Sequence, residues 1–231
     1  MSFATTTSPL PLTLPPLENG DRLIRPEFER RYSAMPNREK AELIEGVVYL
    51  AAALRFKSHA GPHSNLIIWL GNYKIVTPGL ELGIEPTVRL DLDNEPQPDA
   101  ALFISQSAGG QTRLSEDDYI EGAPELLAEI AASSAAIDLG DKKRAYRRNG
   151  VQEYIVWQVY DRRIDWFVLQ DGDYVSLPVD AEGIARSQTF PGLWLAVNAM
   201  LAGDMQTVVK TGQRGLSSPE HQAFVQRLAA H

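Results

Sequence analysis

The chain has 231 residues, 44% of them hydrophobic and 23% charged, a globular composition long enough for one large domain. It contains no cysteine, which excludes disulfides, thiolate chemistry and cysteine-based zinc sites and fits a cytoplasmic setting, and no apolar run approaches the roughly 18 residues of a membrane span. Its net charge of −8 argues against holding nucleic acid through a general positive field, so any DNA contact must be local, through a cation in an acidic site or through Arg144, Arg147 and Arg148.

Residues 1 to about 19 are rich in Ser, Thr, Pro and Leu without a steady period, and they lack the basic start and apolar core of a secretion signal. The expected organisation is an extension over 1–20, a main domain over 21–200 and a C-terminal helical extension over 201–231. Phe28 to Met35 reads as a short helix closed by Pro36. Glu42 to Leu50 reads as the first strand. A helix from about His63 to Val76 carries Leu66, Trp69, Leu70 and Tyr73 on one face and stops at Thr77-Pro78-Gly79. Glu81–Leu90 and Ala100–Ile104 read as strands about a polar turn, and the long polar stretch Ser105 to Glu121 as a functional flap or plain disorder. Glu125 to Ala132 is the next strand. Asp138 to Asn149 is a helix ended by Gly150. Glu153–Tyr160 and Asp165–Gln170 pair about a turn, and Tyr174–Leu177 and a segment near Phe190 add edges. Ala196–Ala202 and Ser218–Leu228 read as helices, the latter with a Ser218 cap and Pro219 at its first position. The fold class is mixed α/β (α+β), a mixed sheet flanked by helices.

The chemistry concentrates on two acids and a lysine. Asp99 follows Pro98 at the start of an aliphatic strand. Strand alternation puts Leu127, Glu129 and Ala131 on one face, so Glu129 is the only charge there. A carboxylate in such surroundings is costly unless it is paired or binds a cation. Asp138, Lys142 and Tyr146 share a helix face and could look back over the strand end, where the lysine would hold a phosphate or orient water. The bland alternatives are a sheet-edge acid and a surface Asp138–Lys142 pair worth about 0.3–0.5 kcal/mol. Glu45, beside Gly46, is a further ligand or a sheet-edge acid. His59 and His63 are four apart, but Pro62 argues against a regular helical turn through both, and no glutamate base accompanies them, so a zinc protease is weak. His63 instead caps the helix or reaches the site's mouth. Trp157, Trp166 and Phe167 are expected in the core rather than as a base-stacking platform. Phosphate loops of the GK[ST] type and the G-x-S-x-G elbow are absent.

Taken in order, Glu42-Leu43-Ile44-Glu45-Gly46-Val47-Val48, His63, Gln97-Pro98-Asp99, Pro124-Glu125-Leu126 with Glu129, Asp138 through Lys142 to Tyr146, and Gly150-Val151-Gln152-Glu153-Tyr154 resemble the Uma2 family, also called DUF820, of restriction-endonuclease-like proteins. The resemblance covers about residues 26 to 170. It implies the PD-(D/E)xK nuclease fold, with the active site at a strand fork. It also implies Asp99 and Glu129 as metal-binding acids, Lys142 as the active-site lysine and Glu45 as a supporting acid; His63 and Tyr146 complete the supporting set. Mg2+, with Mn2+ as a substitute, is the implied ion, DNA the implied substrate and a homodimer the implied assembly. Two departures stand out. The nuclease pattern has lysine two residues after the second acid, where this chain has Ala131. The serine of many relatives is replaced within Glu129-Ile130-Ala131-Ala132.

The leading expectation is a Mg2+-dependent endonuclease hydrolysing DNA phosphodiester bonds. The alternative is a non-catalytic DNA-binding or scaffold protein that keeps the fold, and a hydrolase of another phosphoester stands behind both.

Overall fold

The computed structural model describes residues 14–36, 40–51 and 53–230. Most of the expected N-terminal extension and the last residue therefore lie outside the described residues.

Helix α1 (Arg25–Ser33) starts with Pro26 in its first turn, where a missing N–H costs nothing. It packs with a hairpin of β1 (Ala41–Ile44) and β2 (Val47–Leu50). The expected single strand is broken because Glu45 and Gly46 both take positive φ, 51° and 72°, the conformation of a two-residue hairpin turn. Phe28, Leu43 and Val48 close a small core under this hairpin. A widened helical turn over Phe56–Ala60 then leads into α2 (Gly61–Ile75).

The main sheet draws on β3 (Leu80–Ile84), β5 (Ala100–Ile104), β8 (Leu126–Ala131), β9 (Glu153–Gln158), β10 (Arg163–Gln170) and β11 (Asp173–Ser176). Between them fall three short strands, β4 (Val88–Arg89), β6 (Arg113–Leu114) and β7 (Ile120–Glu121), which form a sheet of their own. That sheet replaces the expected flap. The expected strand Glu81–Leu90 is split between the two sheets, where Glu85 at φ 50° and then Pro86 turn the chain.

The order in the main sheet is β11-β10-β9-β8-β5-β3. Every pair is antiparallel except β8–β9. A parallel pair needs a crossover, and it is supplied by a helical stretch: α3 (Ala135–Ile137), a second widened turn over Asp138–Lys142, and α4 (Lys143–Asn149). Gly150, at φ 84°, ends it as the sequence predicts. β12 (Ile184–Arg186) and β13 (Trp194–Ala196) form a separate hairpin with Phe190 in its loop, so no strand forms at Phe190 itself. Helices α5 (Val197–Ala202), α6 (Met205–Leu216) and α7 (Pro219–Leu228) follow.

The alternation along β8 divides two cores. Leu126, Ala128 and Ile130 pack with Leu66, Trp69, Leu70 and Tyr73 of α2, with Trp157 and Trp166, and with Val208, Phe224 and Leu228 of the last two helices. Leu127 and Ala131 pack with Tyr146, Val151, Tyr154 and Val156 on the opposite face. Each large apolar side chain so buried contributes roughly 1.5–3 kcal/mol. Among the described residues no helix is long and apolar enough to cross a membrane.

Candidate active site at a strand fork

The site arises where β5 ends and β8 continues. The ladder between them runs from Leu102 opposite Leu126 to Ala100 opposite Ala128. One step further, the same register sets Asp99 opposite Glu129. There the strands part: β8 goes on pairing with β9, Glu129 with Val156 and Ile130 with Trp157, while its other edge opens. The Ile130 N–H at that edge donates to Asp99 Oδ2 at 2.6 Å. On its far side Asp99 offers its backbone carbonyl to the Glu85 N–H (3.2 Å) and to His63 Nε2 (2.8 Å). With a carbonyl as its partner, that nitrogen of His63 carries the hydrogen, and the other keeps its lone pair.

Glu129 points to the face of the crossover helix. Lys142 Nζ lies 3.0 Å from its Oε1, and Tyr146 OH donates to the same oxygen at 2.9 Å. Lys142 also meets Glu42 Oε1 at 2.9 Å and Asp138 Oδ1 at 3.8 Å. The surrounding bonds fix these acids: Glu42 Oε1 accepts from Gln97 N (2.7 Å), and Asp138 Oδ2 from Ser134 Oγ (2.6 Å). Asp99, Glu129, Asp138 and Lys142 are all buried. Burial raises the Glu129 carboxyl well above its usual range, Asp138, Asp99 and Glu42 adding to the rise and Lys142 opposing it. Burial works against the Lys142 ammonium too, but Glu129, Glu42 and Asp138 outweigh it and hold the amine charged. Asp99 moves the other way: burial would raise it, but His59 and the Ile130 N–H hold it below its ordinary value.

Glu45 sits elsewhere. It occupies the tip of the β1–β2 turn, and both its oxygens pair with Arg148, at 2.9 and 3.0 Å. The acid of that hairpin that reaches the site is Glu42. The turn at Glu45-Gly46 breaks the expected single strand Glu42–Leu50 and leaves Glu42 as the in-strand acid of the hairpin.

The two histidines stand together at the other side of the fork. The widened turn over Phe56–Ala60 accommodates Pro62, and the Gly61 N–H reaches back to the Phe56 carbonyl, so helical structure runs through both histidines. Their rings stand 5.6 Å apart. His59 is 9% exposed; its Nε2 is 3.3 Å from Asp99 Oδ1 yet makes no hydrogen bond. One ligating atom each from His59, His63, Glu85 and Asp99 lie within 4.8 Å of one another.

A mixed sheet flanked by helices, with two acids facing across a fork and a lysine from the crossover helix, belongs with the restriction-endonuclease-like folds. The Uma2 family, described as "Putative restriction endonuclease", matches residues 25–198, and the chain belongs to it. The chain is also similar in structure to a protein from Anabaena variabilis ATCC 29413 described as "a putative nuclease belonging to DUF820", with a TM-score of 0.58 and 14% identity over 75% of this chain and 96% of that one. No curated protein matches.

Proposed function

We propose that this chain is a divalent-cation-dependent phosphodiesterase that hydrolyses DNA. The observation that carries the reading is the open fork where Asp99 stands opposite Glu129, with Lys142 Nζ 3.0 Å from Glu129 Oε1. The donors fit a divalent ion. Ile130 takes Asp99 Oδ2, and Lys142 and Tyr146 both take Glu129 Oε1, so Asp99 Oδ1 and Glu129 Oε2 are the oxygens free of these bonds. Four acids, Glu42, Asp99, Glu129 and Asp138, also outnumber the local cations. Oxygen donors of this kind suit Mg2+, with Mn2+ in its place. When bound, such an ion would polarise a phosphoryl oxygen and acidify the attacking water.

The chain's own groups do the positioning. Asp99 is locked by a backbone N–H, and Glu129 is aimed by Lys142 and Tyr146. The nearby arginines are already engaged: Arg144 with Asp141, Arg147 with Asp173, and Arg148 with Glu45. Phosphate attraction therefore falls to the ion and Lys142, consistent with a chain of net charge −8. The engagement of Lys142 by three carboxylates favours a second reading, a DNA-binding protein without cleavage.

Supercoiled plasmid incubated with Mg2+ or Mn2+ separates the two. Nicking by the wild type that falls by about 10²–10³ in Asp99→Asn and Glu129→Gln supports the enzyme. Nicking that survives both substitutions, or retention of DNA without cleavage in either metal, overturns it.

A further inference from the structure

We propose that His59, His63, Glu85 and Asp99 form a metal site of mixed nitrogen and oxygen donors, selective for a borderline transition ion such as Zn2+ or Co2+ over Mg2+. Its ligating atoms lie within 4.8 Å of one another. In a tetrahedral site with bonds near 2.0–2.1 Å, ligands stand roughly 3.4 Å apart, so the donors need draw in by at most about 1.4 Å. A second observation points to a ligand. His59 Nε2 is buried and stands 3.3 Å from Asp99 Oδ1 without hydrogen-bond geometry, an ion pair that a cation held between the two groups would replace. The backbone supports the set. The widened turn at Phe56–Ala60 brings His59 beside His63, and the Asp99 carbonyl fixes one His63 nitrogen, as second partners of ligating histidines do. Glu85 enters from the left-handed position that ends β3 and stays exposed, giving an ion a route in.

The chemistry of selection is general. Imidazole suits Zn2+ and its spectroscopic stand-in Co2+, whereas Mg2+ and Mn2+ prefer oxygen shells and Mg2+ keeps its waters. Glu129 lies outside this donor set, so the site stands independently of whether the fork cleaves DNA. Asp99 would serve both.

Chelator-treated full-length protein titrated with Co2+ tests this through the visible d–d spectrum. One equivalent should bind with an intense band typical of a low-coordinate, nitrogen-ligated ion, should survive a large excess of Mg2+ and should be displaced by Zn2+. His59→Asn and His63→Asn should each weaken binding by roughly tenfold or more. Glu85→Gln, an exposed change that gives up only the 3.8 Å pair with Lys40, should perturb the band. Glu129→Gln should leave it in place while abolishing any nicking. A spectrum of the hexaaqua ion only, displacement by Mg2+, or a band unmoved by Glu85→Gln and both histidine variants would overturn the proposal. A band without nicking in any metal would leave this site standing and remove the nuclease reading instead.

Discussion

Lys142 shows how one side chain can hold several others in place. Its ammonium lies 2.9–3.8 Å from Glu42, Glu129 and Asp138, acids drawn from a hairpin, a central strand and its own helical stretch. Removing one partner from a buried ionic set leaves the remainder uncompensated, which costs about 3–5 kcal/mol. Lys142→Met should lower the urea midpoint accordingly in chelator, and the double variant Lys142→Met with Glu129→Gln should recover part of that loss. A single variant as stable as the wild type would show that the acids there are already protonated or solvated. Local sequence pointed to Asp99 and Glu129 as acids misplaced in apolar strands, and to Lys142 and Tyr146 by their shared helix face. Glu42, His59 and Glu85 were hidden for a different reason. Their roles depend on a hairpin turn, a widened helical turn and a strand break, and none of these leaves a mark in hydrophobic periodicity.

At the scale of elements, the helices with one apolar face and the short, thoroughly apolar strands were legible: α2, β5, β8, β9 and α4 lie within a few residues of where the pattern places them. α6 was not. It carries Thr207, Val208, Val209, Thr211, Gly212 and Gly215, poor helix formers, so its propensity argues against it. It forms because Asp204 caps its N-terminus, accepting from the Thr207 N–H at 3.1 Å, and because the small residues allow close packing. A Cβ on Gly215 would run into the Gly192 carbonyl and come within 2.8 Å of Trp194 Cγ. Gly215→Ala should therefore destabilise the protein by about 1–3 kcal/mol and change Trp194 fluorescence in the native state. An unchanged urea midpoint would mean that α6 can shift outward without loss.

The molecule as a whole is tied together by side chains from distant parts of the sequence, and its response to pH should expose one such tie. Glu95 is buried near Glu29, and burial together with that second carboxylate pushes it up to about 8, against Arg89 and Arg25. Between its ordinary value of 4.5 and about 8 the folded chain holds a proton that the unfolded chain has released. Stability from this group is thus full below the lower value and falls by about 1.4 kcal/mol per pH unit across the interval. Glu95→Gln should lack that slope, and the gap between variant and wild type in urea unfolding should widen from pH 5 to pH 8. Parallel curves would remove Glu95 from the account. The site depends on a longer-range tie still. Two widened turns lie on different layers of the fold, Phe56–Ala60 leading into α2 and Asp138–Lys142 leading into α4, and their side chains meet at one fork. Each turn holds one more residue than regular winding needs. Losing a single codon from either would close it to regular winding and re-aim the side chains of the turn itself, His59 in one and Lys142 in the other. Substitutions can be absorbed there, as at Gly140, where an added methyl would touch nothing. Insertions and deletions cannot, so chain length in these two pentapeptides is what natural variation should leave untouched.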